Sequence, residues 1–421
     1  MELEERLREI RYELYNKFNQ VKNSIGFLDV QRDIASELII SETHLCADAI
    51  DTDDKVIWQM HQDRLYALAD ALAWSVLHSH TIRQLAKYDS IRTSLVNQQD
   101  VFNNIVEKFA PHAKDSIYIF ADITKCITIG DVIEVYDPES IAIHECKESQ
   151  PGQASFANIL RGRIGRQFSK AFWLQEYLNQ GFGKLYRSDG VLKVIEDDSV
   201  NINHFGLLPS LIDECIDSEQ GFSQVRAEPG LLYYAIEDGV EIEDIDVEPP
   251  WGAGKVVIAG VARLVEERTE TAFHLPPMGF PIPLKYRILL NEVDVIIIGV
   301  LDIDYLAELF SKRGYRISYS EGVLKVGKEE LSEVHPRFLN DILINFVSPQ
   351  SIVDSIIGLF EKDTLIDRLE EEKDSIDGRP SGLEQFREFL EKNFEIELLD
   401  LTKPCILSIG GFAVRRKENK E

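Results

Sequence analysis

The first 110 residues contain almost no residue that would break a helix. Gly26 is the first glycine of the chain and Pro111 is the first proline. Because glycine weakens helices and proline ends them, so long a stretch without them favours helices. Charged and apolar residues recur at helical spacing near the N-terminus, and a more apolar helical pattern covers 63–88. We therefore expect a helical N-terminal region over residues 1–94.

Short β-rich segments follow this region. Residues 117–123, 130–136 and 141–147 each have the length and the β-branched or aromatic content of a strand. The sequence Asp-Pro-Glu-Ser at 137–140 is a turn signal, so the second and third segments are expected to form a hairpin. A helical pattern over 156–180 comes next and is stopped by glycines. The expected order is helix, three strands, helix.

Asp131, Glu145 and Lys147 are expected to meet on one face of the hairpin. Successive side chains of a strand point to opposite faces, so Glu145 and Lys147 share a face with Ile141 and Ile143. Charged groups on a face anchored by apolar residues are costly unless they are paired or functional. Two converging carboxylates suit Mg²⁺ or Mn²⁺, and a neighbouring ammonium can stabilise charge on a phosphate. The structural alternative is a surface ion pair on an ordinary hairpin.

This arrangement resembles the PD-(D/E)xK nuclease superfamily, which has the restriction-endonuclease-like fold. The resemblance lies in Asp131 on one strand and the Glu-x-Lys signature of Glu145 and Lys147 on the next, although Gly130 stands where the family pattern has proline. It implies a mixed central sheet flanked by helices, catalysis by these three residues, and Mg²⁺ held by the two acids. The family often adds an acid from the preceding helix, and Glu107 is the candidate for that third metal ligand.

The charge of the chain is strongly uneven. A net charge of −28 opposes nucleic-acid binding, but residues 159–193 hold seven Lys or Arg residues against two acidic ones. Within that segment Arg163, Arg166, Gln167 and Lys170 recur at the spacing of a single helix face. In the families that the chain resembles, this helix flanks the metal site and contacts the phosphate backbone. We expect the four residues to bind nucleic acid; the alternative is a solvated helix face.

Cysteine usage and hydropathy indicate a cytoplasmic protein. The five cysteines are odd in number, widely spaced and free of any Cys-x-x-Cys pair, which argues against a disulfide framework and a cysteine zinc site. The N-terminus lacks the apolar core of a signal peptide. No apolar run approaches the roughly 18 residues of a transmembrane helix, so we expect no membrane partner.

The sequence therefore predicts an α+β multidomain protein. We expect a helical region over 1–94, the nuclease core over 95–198, an acidic linking region over 199–280 and an α+β domain over 281–421. The predicted activity is Mg²⁺-dependent hydrolysis of phosphodiester bonds by an endonuclease. DNA is the substrate that the resemblance implies, and restriction or anti-phage defence is the setting by analogy.

Two alternatives stay open. In the first, the nuclease fold is catalytically inactive and serves as a binding or scaffold module through its flanking helical surfaces. In the second, the C-terminal region binds a ligand or protein that switches the nuclease on. Either flanking region is also a candidate surface for a regulatory partner or a homo-oligomer. No residue in the sequence distinguishes DNA from RNA as the substrate.

Overall fold

The computed structural model of the chain forms two compact units. Unit 1 comprises residues 1–195 and 365–421, and unit 2 comprises residues 196–364. The structure describes residues 2–47, 50–86, 94–137, 140–144, 146–148, 170–175, 177–179, 182–183, 192–193, 202–240, 256–261, 274–320, 322–363, 394–397, 406–407 and 413–416. Each unit contains helices and antiparallel sheets, which confirms the α+β class.

Unit 1 begins with the helices that the sequence predicts. Their bounds are α1 Glu2–Gln20, α2 Ser24–Leu45, α3 Thr52–Val76 and α4 Ser79–Leu85. The side chain of Asn23 accepts the Gly26 N–H at 2.8 Å and starts α2, and the Asp51 carboxylate accepts the Asp53 N–H at 2.9 Å and starts α3. Their inner faces are apolar, so burial of this surface holds the helices together.

A three-stranded antiparallel sheet follows helix α5, which spans Gln99–Phe109. Its strands are β1 Ile117–Phe120, β2 Val132–Asp137 and β3 Ser140–His144, in the order β1-β2-β3. The predicted hairpin is confirmed, because β2 pairs with β3 across the expected turn. The register places Glu134 opposite both Tyr118 and Ala142. One face of the sheet carries Ile119, Ile133 and other fully buried aliphatic residues.

Side-chain amides close both edges of this sheet. On the β1 edge, Gln31 of α2 donates to the Tyr118 carbonyl at 2.7 Å and accepts the Phe120 N–H at 3.0 Å. A helix over 170–179, here α6, covers the β3 edge; its residue 176 lies outside the described part. Gln175 accepts the Ile143 N–H at 2.9 Å, and Asn179 bonds both backbone groups of Ile141. Buried backbone groups on these edges are thereby satisfied.

The remaining strands of unit 1 are short. Strand β4 (Lys147–Glu148) pairs with β15 (Ile406–Leu407), β5 (Phe182–Gly183) with β6 (Leu192–Lys193), and β14 (Phe394–Glu397) with β16 (Ala413–Arg416). Every strand pair that the structure describes is antiparallel. A mixed central sheet of the restriction-endonuclease kind therefore stays a prediction.

Unit 2 is built on a four-stranded antiparallel sheet of order β7-β8-β10-β9. The strands are β7 Phe222–Glu228, β8 Leu231–Glu237, β9 Val256–Val261 and β10 Val295–Asp302. A meander of β11 Arg316–Ser320, β12 Val323–Gly327 and β13 Ser332–Val334 follows. The sheet joins strands from both sides of residue 280, so the described residues on the two sides share one core.

The helices of unit 2 cover one face of its sheet. They are α7 Leu208–Ile216, α8 Leu284–Asn291, α9 Ile303–Lys312, α10 Arg337–Leu343 and α11 Pro349–Asp363. Gly299 of β10 lets α10 approach closely, because a Cβ there would lie 2.7 Å from the Leu343 carbonyl oxygen. The aromatic rings of Phe205, Phe280 and Phe346 meet in the core beneath.

Candidate active site

The loop that precedes Asp131 is fastened to the N-terminal helices. The buried carboxylate of Asp70, on α3, accepts the backbone N–H groups of Lys125 at 2.7 Å and Cys126 at 3.0 Å. Further along, the backbone N–H and the hydroxyl of Thr128 both bond the Leu85 carbonyl at the end of α4. The helical region thus sets the path by which the chain enters β2.

Gly130 makes the last turn before Asp131. Its φ is +78°, and a Cβ there would lie 2.7 Å from Cγ2 of Ile143. Both the backbone conformation and the close contact with β3 require glycine. Proline, which the PD-(D/E)xK pattern has at this position, holds φ near about −65° and would not fit.

Asp131 stands at the end of the β2–β3 ladder. Its N–H donates to the His144 carbonyl at 2.8 Å, and its carbonyl accepts the Ala121 N–H at 3.0 Å. The last regular pair of the ladder is Val132 with His144, and residue 145, which follows β3, lies outside the described residues. The backbone therefore brings Asp131 next to the end of β3.

The half-buried carboxylate of Asp131 faces the Glu-x-Lys segment. Its Oδ2 accepts the backbone N–H of Cys146, the residue between the two other predicted catalytic residues. Glu145 itself lies outside the described residues, and of Lys147 the structure describes the backbone, in β4. The arrangement joins Asp131 to the segment of the other two residues through a charge-assisted hydrogen bond.

Of the other predicted site residues, the structure describes Glu107 and Lys170. Glu107 is an exposed residue of α5, opposite the face that the helix buries. Lys170 is half-buried at the first described position of α6. Arg163, Arg166 and Gln167 lie outside the described residues. The proposed third ligand and the phosphate-binding face stay predictions.

The residue types predicted for the site suit a hard divalent cation. Carboxylate oxygens from Asp131 and Glu145 are the ligands that Mg²⁺ prefers, with water in the other positions. Among the residues that the structure describes, no group of three or more His, Cys, Asp or Glu side chains could hold a metal ion. Of the two predicted acidic ligands, Asp131 lies within the described residues and Glu145 does not.

Glu134, an acidic residue of β2 that the sequence reasoning missed, forms the centre of a polar network. The Glu134 carboxylate accepts hydrogen bonds from the Tyr118 hydroxyl at 2.8 Å, the Tyr136 hydroxyl at 2.9 Å and Nε2 of His144 at 2.9 Å. Glu134 and His144 are both buried, with 9% and 4% of their surface exposed. These bonds connect all three strands of the sheet.

The network keeps Glu134 ionised. Burial by itself would raise the pKa of this carboxyl, but the hydrogen bonds from His144, Tyr118, Tyr136 and Ser116 together lower it to about 2. Burial and the bond to the carboxylate raise the pKa of the Tyr136 hydroxyl to about 12 and raise that of Tyr118 further. Burying a charged carboxylate is costly unless it is hydrogen-bonded, and these donors meet that requirement.

One sequence signal could have pointed to this network. By strand alternation Glu134 lies on a face with Val132 of the same strand, which is fully buried. An acidic residue between apolar neighbours on an inner strand needs partners. What the sequence alone does not give is their identity, because Tyr118 and His144 come from the two neighbouring strands.

Unit 2 contains a comparable network. The Glu228 carboxylate accepts hydrogen bonds from His204 Nε2 at 3.0 Å, the Ser348 hydroxyl at 2.6 Å and the Tyr305 hydroxyl at 2.8 Å. Burial would raise the pKa of Glu228, but the bonds from His204, Ser348 and Tyr305 lower it overall. Because Ser348 donates to the carboxylate rather than to a histidine, this is not the arrangement of a serine nucleophile. The network ties residue 204 to the start of α11.

Comparison of the chain with protein-family models, with curated proteins and with solved structures finds no match. Among the helices within the described residues, none combines the length and the apolar character that crossing a membrane would take.

Proposed function

We propose that the protein is a Mg²⁺-dependent nuclease whose active site comprises Asp131, Glu145 and Lys147. The observation that supports this best is the hydrogen bond in which the Asp131 carboxylate accepts the N–H of Cys146, the residue between Glu145 and Lys147 in the sequence. The pairing of β2 with β3, whose last regular pair is Val132 with His144, supports it further. The helix–three strands–helix order of unit 1 agrees with a restriction-endonuclease-like core.

In this proposal each residue has a distinct task. Asp131 and Glu145 would hold the cation. When bound, Mg²⁺ would polarise the phosphodiester and lower the pKa of a coordinated water. Lys147 would orient the attacking water or stabilise charge on the phosphate through its ammonium group. The Asp131 bond to the Cys146 N–H would keep the two acidic positions together before the cation arrives.

The proposed substrate follows from the uneven charge of the chain. Arg163, Arg166, Gln167 and Lys170 would hold the phosphate backbone, because this basic segment stands out from a chain of net charge −28. We propose DNA as the substrate, cut endonucleolytically, in restriction or anti-phage defence. Neutralising the three cations should flatten the salt dependence of binding to DNA, and an unchanged slope would count against this surface.

Cleavage assays test the proposal directly. Plasmid and single-stranded DNA and RNA are incubated with Mg²⁺ or Mn²⁺ and with wild type, Glu145→Gln or Lys147→Met. Wild type should cut, and each variant should lose at least about a hundredfold in rate. Asp100→Asn, which removes an exposed charge from α5 of the same unit, is the matched control and should cut like wild type. Equal cutting by all four proteins would refute the assignment.

A second candidate function has one observation in its favour. The Asp131 carboxylate already serves the backbone of residue 146, which is a structural use of that acid. In this reading the nuclease fold is an inactive scaffold. Wild type that cuts no substrate and binds no Mn²⁺ in calorimetry would favour the scaffold over the enzyme.

A further inference from the structure

Three helices of unit 1 meet at a buried histidine. His61 of α3 is fully buried, and α1 packs against both α2 and α3. Nδ1 of His61 lies 3.1 Å from Nη1 of Arg11 on α1, and its Nε2 lies 3.9 Å from Oε2 of Glu37 on α2. The imidazole therefore stands between a cation on one neighbouring helix and an anion on the other.

The bond to Arg11 fixes the protonation state of the ring. A guanidinium stays charged and has only donors, so Nδ1 of His61 has to accept this hydrogen bond. The ring is then neutral and carries its hydrogen on Nε2, on the side of Glu37. Arg11 is itself only 1% exposed, so water screens the contact little. In this state His61 holds α1 to α3.

A proton on Nδ1 would reverse these contacts. The ring would lose its acceptor and place a second positive charge 3.1 Å from the Arg11 guanidinium, where the low dielectric of a buried site strengthens the repulsion. Its Nε2–H would become a charged donor beside the Glu37 carboxylate, which is 20% exposed. From 3.9 Å, a small movement of the ring toward α2 would complete an ion pair. Protonation thus exchanges a bond to α1 for a bond to α2.

The other groups around the ring follow from the helices that meet there. On α3, Arg64 lies one turn after His61 and is 5% exposed, and the indole of Trp58 lies one turn before it, with ring centroids 5.8 Å apart. Along the whole of α2, none of the buried side chains is charged. Burial and the guanidinium of Arg11 both disfavour a protonated ring while α1 is docked. Besides Arg11, the side chains that α1 buries are those of Leu7, Leu14 and Tyr15.

We propose that His61 is a pH-sensitive switch that releases α1 from α3 when its ring is protonated. Because docked α1 favours the neutral ring, this contribution to docking is complete above about pH 6.5, where free histidine titrates, and is lost as the pH falls below it. Release would uncover the apolar side chains that α1 packs against its neighbours. The switch involves no residue of the proposed nuclease site, so its failure would leave the proposed function unaffected.

Amide hydrogen exchange of the full-length protein, expressed as protection factors, measures the release of α1. Between about pH 7.5 and 5, the Glu134 carboxyl stays ionised and the sheet should keep its stability. Over this range the protection of α1 should fall at least about tenfold, while the protection of β1 in the same unit should not change. A fall shared equally by β1 would mean general unfolding of unit 1 and would count against the switch.

Two substitutions of histidine supply the comparison. His61→Gln keeps an oxygen that can accept from Arg11 but has no site to protonate, so its α1 protection should be the same at both pH values. His112→Gln, which changes an exposed histidine of the same unit, is the matched control and should behave like wild type. An α1 protection that does not change with pH in wild type, or that falls equally in His61→Gln, would overturn the proposal.

Two further measurements test the switch if His61→Gln folds poorly. Arg11→Gln keeps a donor for Nδ1 of His61 but removes the charge, so the fall in α1 protection should shrink to less than about threefold. Nitrogen NMR of protein labelled at histidine should show the His61 ring neutral at about pH 7.5, with its hydrogen on Nε2. A His61 ring that is already protonated at that pH, or an undiminished fall in Arg11→Gln, would also refute the switch.

Discussion

The Asp131 carboxylate and the backbone N–H of Cys146 are joined by a hydrogen bond that closes the open end of the β2–β3 hairpin. A carboxylate in this position has two separable properties, its shape as an acceptor and its charge. The acceptor holds the strands together, whereas the charge is what a cation would need. Substitutions that remove one property at a time can therefore distinguish structure from function.

Asp131→Asn should keep the fold and remove the activity. The amide oxygen of asparagine can still accept the Cys146 N–H, so the free energy of unfolding should fall by less than about 1 kcal/mol. The lost charge should lower DNA cleavage and Mn²⁺ affinity by at least about a hundredfold. Asp131→Ala, which leaves the buried N–H of Cys146 without its acceptor, should instead cost about 1–3 kcal/mol in urea denaturation. Equal destabilisation by both variants would contradict this separation.

Gly130→Ala should destabilise unit 1 more than an ordinary glycine substitution. The new Cβ would lie 2.7 Å from Ile143 at a φ of +78°, so both backbone strain and a clash should add to about 2–4 kcal/mol. Gly314→Ala is the matched control, because its φ is +77° and nothing lies within 4 Å. It should cost about 1–2 kcal/mol from strain alone. Equal losses of stability for the two variants in thermal unfolding would show that the Ile143 side chain moves aside for the new Cβ.

The stability of unit 1 should fall steeply in acid because of Glu134. Its pKa drops from an ordinary value of 4.5 to about 2 on folding, so its contribution is complete above pH 4.5 and is lost as the pH falls toward 2. After allowance for solvent near Tyr136, that contribution is on the order of 2 kcal/mol. Glu134→Gln should flatten the pH dependence of the unfolding free energy in this range. Glu13→Gln, an exposed change on α1, should leave it as in wild type.

Gln31→Leu should open the β1 edge of the sheet. Leucine fills a similar volume in this buried position but leaves the Tyr118 carbonyl and the Phe120 N–H without their partner. Two unsatisfied buried groups should cost about 2–4 kcal/mol, and the Phe120 amide should exchange its hydrogen faster. Gln59→Leu on the exposed side of α3 should change neither quantity. An unchanged hydrogen-exchange rate of the Phe120 backbone amide would mean that the Gln31 side chain does not protect it.

Val293→Gly should stabilise unit 2. Val293 follows α8 with a φ of +62°, and the Asp294 N–H bonds the Leu289 carbonyl at 2.9 Å in the helix-ending turn that usually takes glycine. Relief of strain at a β-branched residue should exceed the entropy cost of glycine by about 0.5–1 kcal/mol. Val293→Thr keeps the branch and should gain nothing. A loss of stability in the glycine variant would show that packing of the valine outweighs its strain.

Local patterns predicted much of this architecture from the sequence. The helices of the first 94 residues follow from the missing glycines and prolines, and the hairpin follows from alternation on both sides of a turn. The place of Asp131 just before β2 follows from the same hairpin, whereas the position of Glu145 stays a prediction. Each of these inferences uses residues that are close in the sequence, where period and turn chemistry carry the information.

The features that escaped prediction all join distant residues. Gln31 meets Phe120 across the interval between α2 and β1, and Lys147 of β4 pairs with Leu407 of β15. Neither pairing can be inferred from a local sequence pattern, because tertiary packing alone brings the two partners together. The Glu134 network was not predicted for the same reason. The sequence does show its one local sign, an acidic residue at a strand position between apolar neighbours.

The amides of Gln31, Gln175 and Asn179 have a consequence for how this protein meets other molecules. A sheet with open edges invites foreign strands, and uncontrolled strand addition leads to aggregation or domain swapping. At the described positions of β1 and β3 those sites are already filled by the chain's own side chains. A second copy or a peptide is therefore not expected to extend this sheet at the described positions of β1 and β3.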